Sequence, residues 1–128
     1  MRLLLDTCAV LWWFDDSPKI GPAAASAIGD NANIVMVSIA SLWEIAIRRR
    51  SGRLDVAVAD VHYGMRLSGW DVLPILPAHL ALVKELPAHH RDPFDHLLIA
   101  QAIAGDLIIM TDDRHIKLYP VRQMNCSA

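Results

Sequence analysis

Three short runs set the frame of this chain: Leu3 to Leu5 (LLL), Ile34 to Val37 (IVMV) and Leu107 to Met110 (LIIM). None alternates apolar with polar residues, so each needs cover on both faces. Strands of that kind occur where helices pack above and below a parallel sheet. The stretches between the runs are long enough for the helical crossovers that parallel strands require. The pattern predicts an α/β fold, with a short, mostly parallel central sheet and helices on both faces. Working residues in such a sheet lie beyond the carboxyl ends of its strands.

The rest of the chain reads consistently with that frame. Strand 2–5 stops at Asp6, and a helix follows over 8–14. Asp15 to Pro18 is a turn, and Pro22 opens an Ala-rich helix. A helix over 39–52 has Ser38 as its N-cap, arginines in its last turn and Gly52 at its end. Further elements are a helix over 57–67, a strand over 70–75 (WDVLPI) and a helix over 78–86. The polar loop 89–93 (HHRDP) leads to a helix from Pro93, with Asp92 as N-cap. After strand 107–110 come a short helical piece near Arg114 and a last strand near 118–121. No repeat or linker interrupts the chain, which reads as one domain over 1–128.

Hydrophobic residues make up 54% and charged residues 20%, with a net charge of -2. That balance excludes intrinsic disorder and a basic nucleic-acid tail. The apolar excess points to a face covered by a partner. Cys8 and Cys126 form no disulfide framework, which suits a reducing cytoplasm. Asp6 breaks the N-terminal apolar run. The longest nearly apolar stretch, 34–47, is too short to span a membrane and contains Glu44. A soluble cytoplasmic protein without a membrane segment is expected.

Acidic residues stand where chemistry is expected. Asp6 follows LLL, and Asp112 and Asp113 follow LIIM; Glu44 and Asp95 lie in the N-terminal halves of apolar helices. An ionised carboxylate in apolar surroundings is costly without compensation. If these acids share a pocket, protons or cations must offset them, and a cluster of carboxylate oxygens suits Mg²⁺ or Mn²⁺. Each also has a local reading. Asp6 can cap the next helix, and one of Asp112 and Asp113 can cap a short helix. Glu44 stands three after Ser41 and four before Arg48, as in a capping box or an ion pair. Asp95 suits the helix dipole.

Four segments carry a resemblance: LLLDTCAVLWW at 3–13, VSIASLWEIAIRRRSGRL at 37–54, LPAHHRDPFDHLLIAQAIA at 86–104 and LIIMTDDRHIKLY at 107–119. In their order and separation the chain resembles PIN-domain proteins of the VapC toxin type, over essentially its whole length. The resemblance implies a PIN-like three-layer fold. It implies a Mg²⁺- or Mn²⁺-dependent endoribonuclease, the toxin of a type II toxin–antitoxin system, neutralised by a small cognate antitoxin. By motif, the catalytic and metal-holding acids are Asp6, Glu44, Asp95 and Asp113. Thr111 resembles the hydroxyl that steadies one of them, and Thr7 is a further hydroxyl beside the first acid. Asp112 is a second acid at a position the family commonly leaves non-acidic. The family also implies a homodimer, with DNA engaged only through the antitoxin, whose arginine or lysine enters the acidic cluster.

RNA hydrolysis fits these residue types. It needs a nucleophilic water, neutralised phosphoryl oxygens and help for the leaving oxygen, which carboxylate-held divalent ions provide. The resemblance implies a 5′-phosphate and a 3′-hydroxyl as products. An acidic pocket also needs basic residues at its rim to hold RNA. Arg48, Arg49, Arg50 and Arg53 form the dense positive cluster, and Arg91 and Arg114 lie beside acidic motifs; the first four also read as a favourable helix C-terminus. His89, His90 and His96 read as phosphate or base contacts or as ordinary surface histidines. Trp12, Trp13 and Trp43 read as core or partner packing. Competing functions are a PIN-like RNA-processing nuclease without an antitoxin, a non-catalytic protein- or RNA-binding module, and a response-receiver domain. The last lacks support, because the second acid falls inside a helix and no suitably placed lysine follows a late strand.

Overall fold

In the computed structural model, which describes residues 1–128, five strands form one sheet. They are β1 (Arg2–Leu5), β2 (Ile34–Ser38), β3 (Asp71–Leu73), β4 (Ile108–Met110) and β5 (Gln123–Met124). Their order is β3-β2-β1-β4-β5, and every neighbouring pair is parallel. Six helices connect them: α1 (Thr7–Phe14), α2 (Pro22–Gly29), α3 (Ile39–Arg50), α4 (Val58–Ser68), α5 (Pro77–Val83) and α6 (Pro93–Gly105).

The pleat sorts the apolar runs between two cores. Leu3, Leu5, Val35, Val37 and Met110 face a core shared with α1, α2, α3 and α4. Leu4, Met36 and Ile109 face the opposite core, built with α6. That division explains the unbroken apolar runs, since successive side chains enter different cores. Leu3, Leu4 and Leu5 are all fully buried. Each such side chain contributes about 1.5–3 kcal/mol of burial free energy. The result is a parallel sheet between helical layers, as predicted.

Local signals place the helix ends. Ser38 caps α3 through a bond from the Ala40 N–H at 3.0 Å. Gly52, just past the end, adopts φ +78, a left-handed conformation that glycine accepts without cost. Asp92 caps α6, accepting from the N–H groups of Phe94 and Asp95. Because Ser38 is the cap of α3, Glu44 is not the third residue of a capping box with Ser41.

One expectation needs correction. The last strand is not at 118–121 but at Gln123–Met124. Residues Ile116–Leu118 form a 3-10 turn instead, and Tyr119 turns its side chain into the core beneath α6. Of the core or partner packing expected for Trp43, the core does not apply: it is 56% exposed and meets Phe94 edge-on at 5.0 Å. No helix is long and apolar enough to cross a membrane.

The chain starts at the central strand, builds outward through β2 and β3, then returns to add β4 and β5 on the other side. The direction of winding therefore reverses between β1 and β4. A crevice opens at such a switch point, outside the carboxyl ends of the strands.

Candidate active site

A cleft of about 250 Å³ lies there, lined by Asp6, Thr7, Cys8, Trp12, Glu44, Arg48, Asp92, Asp95, Asp112 and Asp113. The acids arrive from four separate places in the chain. Asp6 ends β1 and caps α1, with its Oδ1 accepting from the Ala9 N–H at 2.8 Å. Glu44 projects from α3, Asp95 from the first turn of α6, and Asp112 and Asp113 from the segment after β4. All four acids carried by motif therefore border the same cleft. Asp6 combines its local and its site position, since capping uses only one carboxylate oxygen.

Burial makes this cleft electrostatically tense. Desolvation lifts the Asp6 carboxyl from 3.8 to about 6, against the Thr111 hydroxyl and the Ala9 N–H; repulsion from Asp113 and Glu44 adds to the rise. Desolvation lifts Asp95 further, to about 8, with added repulsion from Asp92, Asp113, Asp6 and Glu44. Asp113 acts on both buried acids, whereas Asp112 acts on Cys8 and Cys126. The Cys8 thiol is pushed up to about 11, by desolvation first and then by the Asp6 charge. That rise disfavours the reactive thiolate.

Hydroxyl and backbone groups hold the acids in place. Thr7 Oγ1 donates to Glu44 Oε1 at 2.7 Å. Asp113 Oδ1 accepts from the His115 N–H at 2.7 Å, and its own N–H donates to Thr111 Oγ1 at 2.9 Å. Asp112 Oδ1 accepts from the Ser127 N–H at 3.2 Å. Glu44 therefore pairs with a hydroxyl across the cleft, and no ion pair joins it to Arg48.

The acids of the cleft suit a hard divalent cation: they offer carboxylate oxygens, and Asp6 is buried and in no ion pair. Arg48 is the one cationic side chain lining the cleft. No three His, Cys, Asp or Glu side chains are gathered closely enough to hold an ion as they stand. The residues fit such an ion in donor chemistry and charge.

The other basic residues lie outside the cleft lining. Arg49 pairs with Asp55 at 3.4 Å, and the Arg53 Nε donates to Ser51 Oγ at 2.9 Å. Arg50, Arg91 and Arg114 are exposed. His90 is not a surface histidine. Its side chain is only 9% exposed, with Nε2 3.0 Å from Asp95 Oδ2 and Nδ1 2.8 Å from the Tyr119 hydroxyl. Sequence reasoning also passed over Asp92, which lines the cleft while it caps α6. Its capping signal was legible and concealed the second position.

Residues 3–121 match the PIN domain, and the chain belongs to that family. It is 27% identical over 117 residues to ribonuclease VapC22 of Mycobacterium tuberculosis (strain ATCC 25618 / H37Rv), covering 90% of this chain and 89% of that protein. The fold resembles a chain of the crystal structure of VapBC2 from Rickettsia felis bound to a DNA fragment from their promoter. The TM-score is 0.74 at 16% identity, over 98% of both chains. It also resembles a chain of VapBC-1 from nontypeable Haemophilus influenzae, with a TM-score of 0.65 at 15% identity and full coverage of both.

Proposed function

We propose that this chain is the toxin of a toxin–antitoxin pair, a Mg²⁺- or Mn²⁺-dependent endoribonuclease whose active site is the acidic cleft. One observation carries the reading: Asp6, Glu44, Asp95 and Asp113, far apart in sequence, border one cleft at the switch point of the sheet. The relative named a ribonuclease and the likeness to VapBC structures support it.

In this reading the four acids hold the ion, which supplies charge neutralisation at the phosphate and a more acidic water. Thr7 keeps the Glu44 carboxylate turned to the cleft, and Thr111 does the same for Asp6. Arg48 offers a cation at the edge where RNA phosphates approach, and Arg49, Arg50, Arg53, Arg91 and Arg114 add backbone contacts farther out. Cleavage leaves a 5′-phosphate and a 3′-hydroxyl. The antitoxin supplies the DNA-binding part and a cationic side chain for the acidic cluster. Exposed Ile39, Trp43, Leu76 and Leu80 offer apolar surface for protein partners, including a second copy of this chain.

The test is cleavage of total cellular RNA by wild type and Asp6→Asn, with and without millimolar Mn²⁺ and with the small protein encoded next to the gene. Wild type is expected to cut only with metal, Asp6→Asn not at all, and the small protein to stop cleavage. RNA left intact by wild type in Mn²⁺ would defeat the enzymatic reading. Cleavage that no neighbouring protein inhibits would favour an RNA-processing nuclease instead.

A further inference from the structure

Behind the cleft lies a buried polar cluster that the proposed chemistry does not use. His90 bridges Asp95 Oδ2 (3.0 Å from Nε2) and the Tyr119 hydroxyl (2.8 Å from Nδ1). His96 Nε2 lies 2.7 Å from the His90 carbonyl oxygen and 3.2 Å from the same hydroxyl. His115 stacks on the His90 ring, with centroids 5.2 Å apart and planes 13° from parallel. The His90 side chain is 9% exposed, and Tyr119 is 4% exposed. Polar groups buried this far need defined partners, so the ring is held on its face and at both nitrogens.

The hydrogens can be assigned by elimination. A carbonyl oxygen only accepts, so His96 carries its proton on Nε2 and donates to His90 O. With Asp95 ionised, as it must be to serve a cation, its carboxylate only accepts, and the His90 Nε2–H donates to Asp95 Oδ2. The His90 Nδ1 is then an acceptor, and the Tyr119 O–H donates to it. The Tyr119 oxygen is left to accept the longer contact from His96. In this arrangement every donor finds an acceptor.

We propose that His90 is a positioning residue: it fixes the Asp95 carboxylate by one oxygen, leaves the other for the cleft, and is itself oriented by Tyr119. The inference deepens the proposed function, since it rests on Asp95 serving the divalent ion. Asp95 has no other side-chain partner to fix its rotamer. Outer partners of metal-holding carboxylates and imidazoles act in this way, and their loss weakens metal binding or activity about 10–100-fold.

The experiment compares His90→Leu, His90→Gln and Tyr119→Phe with wild type by crystal structure, calorimetric Mn²⁺ titration and steady-state RNA cleavage. His90→Leu is expected to let Asp95 leave its rotamer. Mn²⁺ affinity and kcat should each fall about 10–100-fold, with KM for RNA unchanged. His90→Gln, whose amide nitrogen reaches the same point, is expected to recover most of the Mn²⁺ affinity. Tyr119→Phe should fall between, and the double variant His90→Leu with Tyr119→Phe should be no worse than His90→Leu alone, since both act through one ring. An unmoved Asp95 in His90→Leu, wild-type Mn²⁺ affinity in that variant, or a His90→Gln as weak as His90→Leu overturns the proposal. If His90→Leu does not fold, an unaffected Tyr119→Phe overturns it. A wild type that neither binds Mn²⁺ nor cuts RNA defeats the proposed function instead, and the position of Asp95 in His90→Leu still decides the role of His90.

Discussion

Asp6 donates its backbone N–H to the carbonyl of Met110 at 3.1 Å, one rung beyond the last paired residues of β1 and β4. The ladder of the sheet thus continues into the cleft. It ties the first acid of the chain to the start of the segment that bears the last two. The relative position of Asp6 and that segment is set by main-chain bonding, while the side chains of Asp112 and Asp113 still have different surroundings.

Those surroundings separate the pair. Asp113 repels both Asp6 and Asp95 and is braced by Thr111 and the His115 N–H, whereas Asp112 is engaged by the Ser127 N–H. Asp113→Asn is expected to abolish metal-dependent cleavage. Asp112→Asn should lose less than about tenfold, under ~1.4 kcal/mol of transition-state stabilisation. Comparison of kcat/KM on one RNA checks it, and a dead Asp112→Asn beside an active Asp113→Asn would shift the assignment by one residue.

Stability of the metal-free protein should fall with rising pH. Asp6 and Asp95 have folded values of about 6 and about 8 against an ordinary 3.8. The folded state therefore binds more protons than the unfolded state between those limits, and the slope of unfolding free energy with pH is negative. The favourable contribution is complete below about pH 4 and declines through about pH 8. Calorimetric Tm values at about pH 5 and pH 8 test the sign. Asp6→Asn should remove the lower part of the decline and raise Tm at neutral pH. Mn²⁺ should raise the wild-type Tm by binding the folded state, and do so less in Asp6→Asn.

Thr7→Val removes one hydroxyl and keeps the shape of a buried side chain. Glu44 would lose its 2.7 Å donor and become free to swing from the cleft. The expected result is a drop in kcat of about tenfold with a stability loss of about 1 kcal/mol. Denaturant titration beside the cleavage assay separates the two effects.

Trp43 stands 56% exposed on α3, on the helix that carries Glu44. Large exposed aromatic residues mark association surfaces. Light scattering of the pure chain at micromolar concentration should give twice the 14.2 kDa of the monomer, and Trp43→Ser should shift the mass toward the monomer.

Legibility in the sequence followed physical range. β1, β2 and β4 were visible because unbroken apolar runs reflect burial on both faces, and Ser38 and Asp92 were visible because capping acts within three residues. β5 was missed because a two-residue strand has no periodicity, while Leu118, Tyr119 and Val121 next to it look more strand-like than Gln123 and Met124. The convergence of Asp6, Glu44, Asp95 and Asp113 was approached by motif resemblance, whereas their spacing alone left local capping and pairing open. The Thr7–Glu44 and His90–Tyr119 contacts span 37 and 29 residues. Nothing in a local window reports contacts of that range.

The central strand is made first and acquires its β4 neighbour late: Leu3 pairs with Ile108. A growing polypeptide can form β1 and β2 early, yet until residue 113 has cleared the ribosome one wall of the cleft does not exist. Pairings so distant along the chain form slowly and late. If the proposed function holds, this places synthesis and armament in sequence. Fragments released before Asp113 lack one of the four acids, and the translating ribosome that makes the chain works beside an unarmed one.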